Sequence, residues 1–414
     1  KYIKSLAAIP PVIANPFSSE DHAFYGINKN IPTEVPASAT NTYKSSGGWK
    51  DFMNFYALGN VFTINNTRYG IISDIEPYTA EIVCGESNYS GDVIVPDLVT
   101  NNNKTYTITR IGNGTFSDCT ELNSVTLPNV VTEIGYNAFK NCTKLKSASI
   151  GNAIEKIGGS SFYNCTLLSG IQLPASLKSI ESNAFTYCRA FTSIVLPENI
   201  KILNNSVFYG CFNLNNVQLS AKTTEIKEYA FGGCNNLKSI QLPDSLLILG
   251  ENAFNSCNNL QVIKIPAKVT SIGSYAFCYC SNLSAVFSFA NIPPKTGTEV
   301  FYGVSKTIPL FVSAASIPDY QQAVQWKDFT SVYDVNSIFE KDGIRYHIIS
   351  NGDTPEVEVM KNDLPYSGAI TIPDKVDFDG RSYTVSKMYE GVFSQNKLIT
   401  SVTLGNAIKK INNS

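Results

Sequence analysis

Apolar residues recur at a fixed interval of 23 residues between residues 111 and 292. The most regular column is phenylalanine, and a cysteine follows three residues after each phenylalanine. The phenylalanine column consists of Phe116, Phe139, Phe162, Phe185, Phe208, Phe231, Phe254 and Phe277. With four further columns of mostly aliphatic residues, the unit reads Ile-x4-Phe-x2-Cys-x2-Leu-x2-Ile-x-Leu-Pro-x2-Val. Eight such units follow one another without an insertion or a deletion, which predicts a repeat array.

Each unit contains one Ile-x-Leu pair that alternates with polar residues, as in a strand with one buried face. A proline such as Pro128 often follows the pair and marks the end of the strand, because proline cannot donate a backbone hydrogen bond. A unit this short cannot bury a core alone, but stacked units place each column beside itself at a spacing of roughly 4.8 Å. We therefore predict a leucine-rich repeat superhelix: an α/β solenoid, mainly β, with a parallel concave sheet, Phe-x2-Cys turns on the convex side, and helical and hairpin caps.

A second period of 277 residues repeats whole domains, since Trp-Lys-Asp-Phe stands at residues 49–52 and again at 326–329. We predict that residues 1–58 are the last rung and C-terminal cap of one repeat domain, that 59–335 form a complete domain, and that 336–414 begin a third. The complete domain divides into an N-terminal hairpin region (59–110), eight regular repeats (about 111–292), and a degenerate last rung with its cap (293–335). We expect a helix over 317–326 and a hairpin that turns at Asp342-Gly343. Because the chain starts at Lys1 and stops in mid-unit at Ser414, we expect a trimmed product.

Composition excludes several classes of function. A net charge of −2 argues against a nucleic-acid partner, and no apolar run reaches the roughly 20 residues of a membrane-spanning helix. Eight of the ten cysteines lie in the repeat column, which favours reduced, buried thiols over disulfides. No cysteine spacing is typical of zinc, so we expect no metal site and no cofactor.

Catalytic patterns are also missing from the sequence. Only His22 and His347 exist, and His347 corresponds to Gly70 in the other copy of the 277-residue period. There is no nucleophile elbow and no phosphate-binding glycine loop, and the concave strand positions of the eight units carry no Asp or Glu. We therefore expect a non-enzymatic protein with no catalytic residues.

The repeat unit, the Val-Pro-Ala stretch of the cap and the Trp-Lys-Asp-Phe motif resemble the BspA-type leucine-rich repeats, also called the Treponema pallidum type. The resemblance covers nearly the whole chain, although Asn396 takes a Cys position and Gly151 and Ser220 take Pro positions. It implies a secreted or cell-surface binding protein, anchored by a segment outside this chain, with some members acting as adhesins. The family has no fixed binding motif, so no functional residue is carried over.

The candidate binding surface is the solvent-facing side of the concave strands. Its side chains are small, polar and nearly uncharged, and they can bond to peptide or sugar groups. They are Ser124, Thr126, Ser147, Ser149, Gln172, Ser193, Asn216, Gln218, Ser239, Gln241, Lys264 and Phe287. The alternative is that these residues only solvate the sheet. Val262, Lys264, Ala285 and Phe287 add an apolar patch near the C-terminal end that is either a contact point or packing under the cap.

Tyrosines around the Phe-x2-Cys turns are a second candidate for partner contact, unless they only cover neighbouring turns. They are Tyr163, Tyr187, Tyr209, Tyr229, Tyr275 and Tyr279. The leading functional hypothesis is a surface protein that binds a protein ligand, either host matrix or another cell-surface protein. The alternatives are a glycan-binding protein for nutrient capture and a structural spacer. The concave face is poor in aromatic residues, which counts against glycans there.

Overall fold

The first strands pack against an aromatic cluster around Tyr43, Trp49 and Phe52. The structure, a computed structural model, describes residues 2–12, 24, 26–85, 88–362, 366–393 and 396–411, so His22 and Ser414 lie outside the described residues. A three-stranded parallel sheet in the order β1-β2-β3 precedes the first complete array. Its elements are β1 (Ile3–Lys4), β2 (Pro32–Val35), a 3-10 helix (Ala37–Ala39), α1 (Thr40–Ser45) and β3 (Asn54–Ala57).

The N-terminal hairpin region forms a mixed sheet that continues into the repeats. The strands are β4 (Val61–Ile64), β5 (Thr67–Ser73), β6 (Thr79–Val83), β7 (Gly91–Ile94), β8 (Leu98–Asn101) and β9 (Lys104–Ile111). Strands β4, β5 and β6 pair antiparallel, and β6 then pairs parallel with β9. Asn65 and Asn66 turn the β4–β5 hairpin with φ of 48° and 63°, the left-handed conformation that tight hairpins require.

Parallel strands recur through the array, which confirms the predicted repeat fold. They are β10 (Leu122–Thr126), β11 (Glu133–Ile134), β12 (Ser147–Ser149), β13 (Lys156–Ile157), β14 (Ser179–Ile180), β15 (Ser193–Val195), β16 (Ile202–Leu203), β17 (Asn216–Gln218), β18 (Glu225–Ile226), β19 (Ile248–Leu249), β20 (Val262–Ile265), β21 (Ser271–Ile272), β22 (Ala285–Ser288) and β23 (Lys295–Thr296).

These strands form two ladders rather than one. The first ladder (β10, β12, β15, β17, β20 and β22) contains the predicted Ile-x-Leu strands. The second ladder (β11, β13, β14, β16, β18, β19, β21 and β23) is built on the Ile column that precedes each phenylalanine, and it was not predicted. Each of its strands has only two residues, too few to show a period of two. It breaks between β14 and β16, where the Asn204 side chain donates to the Ile180 carbonyl oxygen at 2.8 Å.

The core between the ladders is a stack of phenylalanine rings. Successive rings from Phe116 to Phe301 lie 4.9–5.7 Å apart between centroids, with interplanar angles of 4–14°. Beside them, seven cysteine thiols from Cys142 to Cys280 each donate to the carbonyl oxygen of the phenylalanine 26 residues earlier, at 3.0–3.3 Å. These thiols are unpaired and buried, and burial raises the pKa of Cys257 to about 12.

The cap after the array is bonded to the last rung through its buried aromatic residues. It contains β24 (Pro309–Val312), a 3-10 helix (Ala314–Ser316), α2 (Ile317–Tyr320) and β25 (Ser331–Asp334). The helix is shorter than predicted, and Gln325 adopts a left-handed φ of 66° that a continued helix would exclude. The Tyr320 hydroxyl lies 2.6 Å from Ser288 Oγ and donates to the Ala290 carbonyl at 2.9 Å.

The same contacts occur near the start of the chain. The Tyr43 hydroxyl lies 2.6 Å from Ser5 Oγ and donates to the Ala7 carbonyl at 2.9 Å. Residues 3–11 therefore match residues 286–294 at an offset of 283 rather than 277, which the sequence comparison missed. The additional residues fall before Phe24, where the alignment at 277 fails.

The described strands of residues 335–411 repeat those of the N-terminal hairpin region and of the first regular unit. They form a 3-10 helix (Val335–Ser337), β26 (Ile338–Lys341), β27 (Ile344–Ser350), β28 (Glu356–Met360), β29 (Gly368–Ile372), β30 (Lys375–Phe378), β31 (Arg381–Met388), β32 (Ile399–Leu404) and β33 (Lys410–Ile411). The hairpin expected at Asp342-Gly343 is present as the antiparallel pair β26–β27.

Candidate functional site

The outward side chains of the first ladder form one row of small polar groups, here called the polar face. The parallel register aligns them across the rungs, as where Ser124 lies beside Ser147 and Ser193 beside Asn216. Eleven of the twelve residues singled out from the sequence reach the surface. Ser124 is half-buried, and its hydroxyl donates to Asp92 Oδ1 at 2.6 Å. The other ten are exposed: Thr126, Ser147, Ser149, Gln172, Ser193, Asn216, Gln218, Ser239, Gln241 and Lys264.

The polar face extends one strand beyond the eight units, which sequence reasoning missed. Strand β7 pairs in parallel with β10 and places Asp92 beside Ser124. Next to this carboxylate, Ile94 is 78% exposed. The face therefore has an acidic and apolar rung at its N-terminal end. No signal in the 23-residue period marks that rung, because residues 91–94 precede the first regular unit.

Crevices open across the polar face beside the interruptions of the first ladder. The segments 170–172 and 239–241, in the third and sixth units, are not strands. A crevice of about 770 Å³ separates Gln218 from Gln241 and is also lined by Asp244. A crevice of about 420 Å³ lies three units earlier, between Ser149 and Gln172. Both are lined mainly by amide and hydroxyl groups and by the backbone around them.

Phe287 is not a solvent-facing contact residue, so that part of the prediction is wrong. Its side chain is 3% exposed and stacks on Phe311, with ring centroids 4.7 Å apart. Lys264 and Arg345 lie over its ring at 5.5 and 5.7 Å. Val262 and Ala285 are buried in the same cluster, which Met360 completes. The apolar patch is thus packing, but it packs against the segment that follows the cap as well as against the cap.

The candidate tyrosines follow the Phe-x2-Cys turns that connect the second ladder to the first. Tyr163, Tyr187, Tyr209, Tyr229 and Tyr275 are half-buried, whereas Tyr279 is 51% exposed. Burial, and then the neighbouring Tyr187, raise the pKa of Tyr209. The rings of Tyr163, Tyr187, Tyr209 and Tyr229 contact one another along the array, and these four tyrosines cover neighbouring turns while part of each side chain stays at the surface.

Titratable groups outside the polar face pack at the boundary between the cap and the following hairpin region. His347 lies buried, with Nδ1 2.9 Å from Glu358 Oε1 and its ring 4.4 Å from the Tyr333 ring. At the equivalent boundary earlier in the chain, Tyr56 donates to Glu81 Oε1 at 2.6 Å, and Gly70 leaves room for the tyrosine ring. This histidine therefore sits in packing that varies between the two copies.

Within the described residues, no three His, Cys, Asp or Glu side chains lie close enough together to hold a metal ion. The described helices include none with the length and apolar character needed to cross a membrane.

Two stacked ladders, a phenylalanine core and one surface-exposed polar row define a solenoid of leucine-rich repeats. The family model for the BspA type leucine rich repeat region matches residues 98–214 and 201–320, with six copies. Because these matches cover more than half of the sequence, the chain belongs to this family, which consists of repeat proteins.

Solved structures with the same repeats are similar to the chain. A leucine-rich repeat protein from Bacteroides ovatus is 22% identical, over 85% of this chain and 90% of its own, with a TM-score of 0.51, which shows a shared fold. A leucine rich cell surface protein from Faecalibacterium prausnitzii is 23% identical over 85% of this chain and 76% of its own, with a TM-score of 0.43. A T. pallidum leucine rich repeat protein is 26% identical over 48% of this chain and 90% of its own, with a TM-score of 0.43. Among curated proteins, none matches the chain.

Proposed function

We propose that this chain is part of a secreted or cell-surface protein that binds a protein ligand through the polar face. The observation that carries the proposal is the pair of crevices three units apart, each lined by a glutamine of that face, Gln172 or Gln241. Membership of a repeat family supports it, because stacked repeats present extended surfaces suited to partner binding.

The chemistry of the polar face favours a protein over a charged polymer. Hydroxyl and amide groups can both donate and accept hydrogen bonds, as the backbone of an extended peptide segment requires. Lys264 carries charge on this face, and Asp92 and Asp244 carry charge at its edges. Long-range electrostatic attraction of a partner therefore contributes little. Shape and hydrogen bonding at the crevices would then determine which partner binds.

The second candidate function is a structural spacer. Hydrogen bonds between residues of successive repeat domains support it. We propose that residues 1–58, 59–335 and 336–414 are parts of three successive repeat domains. At the first boundary Asn54 Nδ2 donates to the Asn113 carbonyl at 2.8 Å, and at the second the Tyr389 hydroxyl donates to the Thr307 carbonyl at 2.7 Å. Direct bonding at both boundaries would hold successive domains at a fixed distance.

The test is surface-plasmon binding of the full chain to a panel of extracellular-matrix proteins. The key variant carries Gln172→Glu, Gln218→Glu and Gln241→Glu, which place three carboxylates on the polar face. The control carries Lys201→Gln, Lys268→Gln and Lys327→Gln, which change the net charge equally at exposed positions outside that face.

We expect saturable binding that the glutamate variant weakens by at least about tenfold and the lysine variant leaves unchanged, because burying an unpaired carboxylate in an interface is unfavourable. Equal binding by the two variants would contradict a site on the polar face. Absence of any protein binding would favour the spacer.

A further inference from the structure

Four tyrosine rings form a continuous strip along the turns of the third to sixth units. This tyrosine strip consists of Tyr163, Tyr187, Tyr209 and Tyr229. The ring centroids of successive members lie 5.6, 5.5 and 5.6 Å apart, at interplanar angles of 80°, 65° and 86°. Each ring thus meets the next edge to face, an arrangement that aromatic pairs prefer.

Glycines beneath the strip allow the rings to lie against the backbone. A Cβ at Gly210, where φ is +67°, would lie 2.5 Å from Tyr187 Cδ1. A Cβ at Gly232 would lie 3.0 Å from Tyr209 Cδ2 and 3.1 Å from Tyr229 Cδ1. The rings are therefore held in place before any ligand arrives. Such preorganisation lowers the entropy lost on binding.

Two positively charged side chains lie beside the first half of the tyrosine strip. Lys140 Nζ lies 5.5 Å from the Tyr163 ring centroid, and the Arg189 guanidinium lies 5.8 Å from the Tyr187 ring and 5.3 Å from Phe212, which is 37% exposed. In the part of the chain that the structure describes, neither cation forms an ion pair with a carboxylate. Glutamates lie at the other end of the strip: Glu228, next to Tyr229 in sequence, accepts from Asn205 Nδ2 at 3.5 Å, and the Tyr229 backbone N–H donates to the Glu251 carbonyl oxygen at 2.9 Å.

We propose that the tyrosine strip binds an extended anionic glycan, a chain of sugars that carry carboxylate or sulfate groups. Neighbouring rings are nearly perpendicular, so at most every second ring can turn its face to one straight ligand. Those faces are separated by two rungs, roughly 10 Å, a distance on the scale of one disaccharide in an extended chain. The apolar faces of the sugars stack on the rings, and Arg189 and Lys140 pair with the anionic groups.

This site is separate from the polar face and does not depend on the proposed protein ligand. It supplies the aromatic rings for sugar stacking that the polar face lacks. The tyrosine strip lies on the turns between the two ladders. A glycan and a protein partner would therefore contact different residues of the same units.

The test is binding of the full chain to three immobilised oligosaccharides of similar length: an oligogalacturonate, a sulfated glycosaminoglycan fragment and a neutral cello-oligosaccharide. The variants are Tyr187→Ala, Tyr187→Phe and Arg189→Gln. The matched control is Tyr302→Ala, which removes a 50% exposed tyrosine from a turn outside the strip. Thermal unfolding of each variant checks whether the fold is retained.

We expect binding to at least one anionic oligosaccharide, with weaker binding to the neutral one. Tyr187→Ala should weaken it by about tenfold, since an aromatic contact of about 1.4 kcal/mol corresponds to that factor. Tyr187→Phe should keep most of the affinity, and Arg189→Gln should reduce both the affinity and its dependence on salt.

Three results would overturn the proposal. The first is no binding to either anionic oligosaccharide, and the second is equal binding to the neutral and anionic chains. The third is glycan binding that survives Tyr187→Ala and Arg189→Gln but is lost in the variant with glutamates at 172, 218 and 241, which would place the glycan on the polar face. Loss of glycan binding with protein binding intact would separate this site from the proposed function.

Discussion

Replacing Phe208 by alanine should weaken the array at its centre. The ring is fully buried between Phe185 at 5.7 Å and Phe231 at 5.6 Å, stacked within 14° of both. Phe→Ala at a buried site costs about 3–5 kcal/mol, partly because a cavity remains. The neighbouring units cannot collapse into that cavity easily, since Phe208 N donates to the Ala230 carbonyl at 2.9 Å and Leu203 pairs with Ile226 across the second ladder. We therefore expect a loss of about 4 kcal/mol.

The assay is urea unfolding followed by tryptophan fluorescence and by far-ultraviolet circular dichroism. Only two tryptophans exist, Trp49 and Trp326, and their indole N–H groups donate to the Pro11 and Pro294 carbonyl oxygens at 3.0 Å. In a Trp49→Phe background the fluorescence reports on the cap after the array, whereas the dichroism reports on all strands. Because units contact only their neighbours, the weakened centre should also separate the two transitions.

The matched control is Phe212→Ala, the same substitution four residues later at a side chain that is 37% exposed. It should cost less than about 1 kcal/mol, as surface substitutions do. If Phe208→Ala cost no more than this control, the stacked rings would not be what couples the units.

Three further predictions concern thiols, a turn and alkaline stability. Ellman's reagent at pH 8 should label half-buried Cys84 first. The buried thiols of the cysteine column should stay unreacted until guanidinium is added, because burial raises their pKa. Rapid labelling of most of the ten cysteines would contradict this. Gly210→Ala should lower the free energy of unfolding by about 1–2 kcal/mol in a denaturant titration, because the new Cβ meets Tyr187 at a left-handed φ, and unchanged stability would show that the turn is not strained. Burial raises the pKa of Tyr320 to about 12, so its protonated form contributes stability that is complete below pH 10 and is lost as the pH rises through 12. Tyr320→Phe should flatten this alkaline loss in thermal unfolding between pH 9 and 12, and identical slopes would count against the assignment.

The 23-residue period was sufficient to predict the core because a stacked array brings each residue next to its own equivalent. Ile134, for example, pairs with Ile111 on one side and with Ile157 on the other. The burial of the phenylalanine and cysteine columns follows from the same rule. Local alternation likewise identified the polar face, since the residues between two buried positions of a strand point outward.

Contacts outside the period could not be predicted in the same way. The two-residue strands of the second ladder are too short to leave a pattern, and the interruptions at segments 170–172 and 239–241 occur in units whose sequences look regular. For the interruption at 239–241 the structure offers no local cause, although it creates the larger crevice of the candidate site.

The sequence by itself determined the repeat, its buried columns, its outward polar row and the family. The tertiary structure alone decided which parts of that row are accessible: Phe287 is covered by Phe311 and Met360, and Asp92 joins the face from a strand outside the units. It also decided that four tyrosines from different units meet as one strip. The physical reason is that burial within a unit depends on local periodicity, whereas exposure depends on segments far apart in sequence that periodicity does not relate.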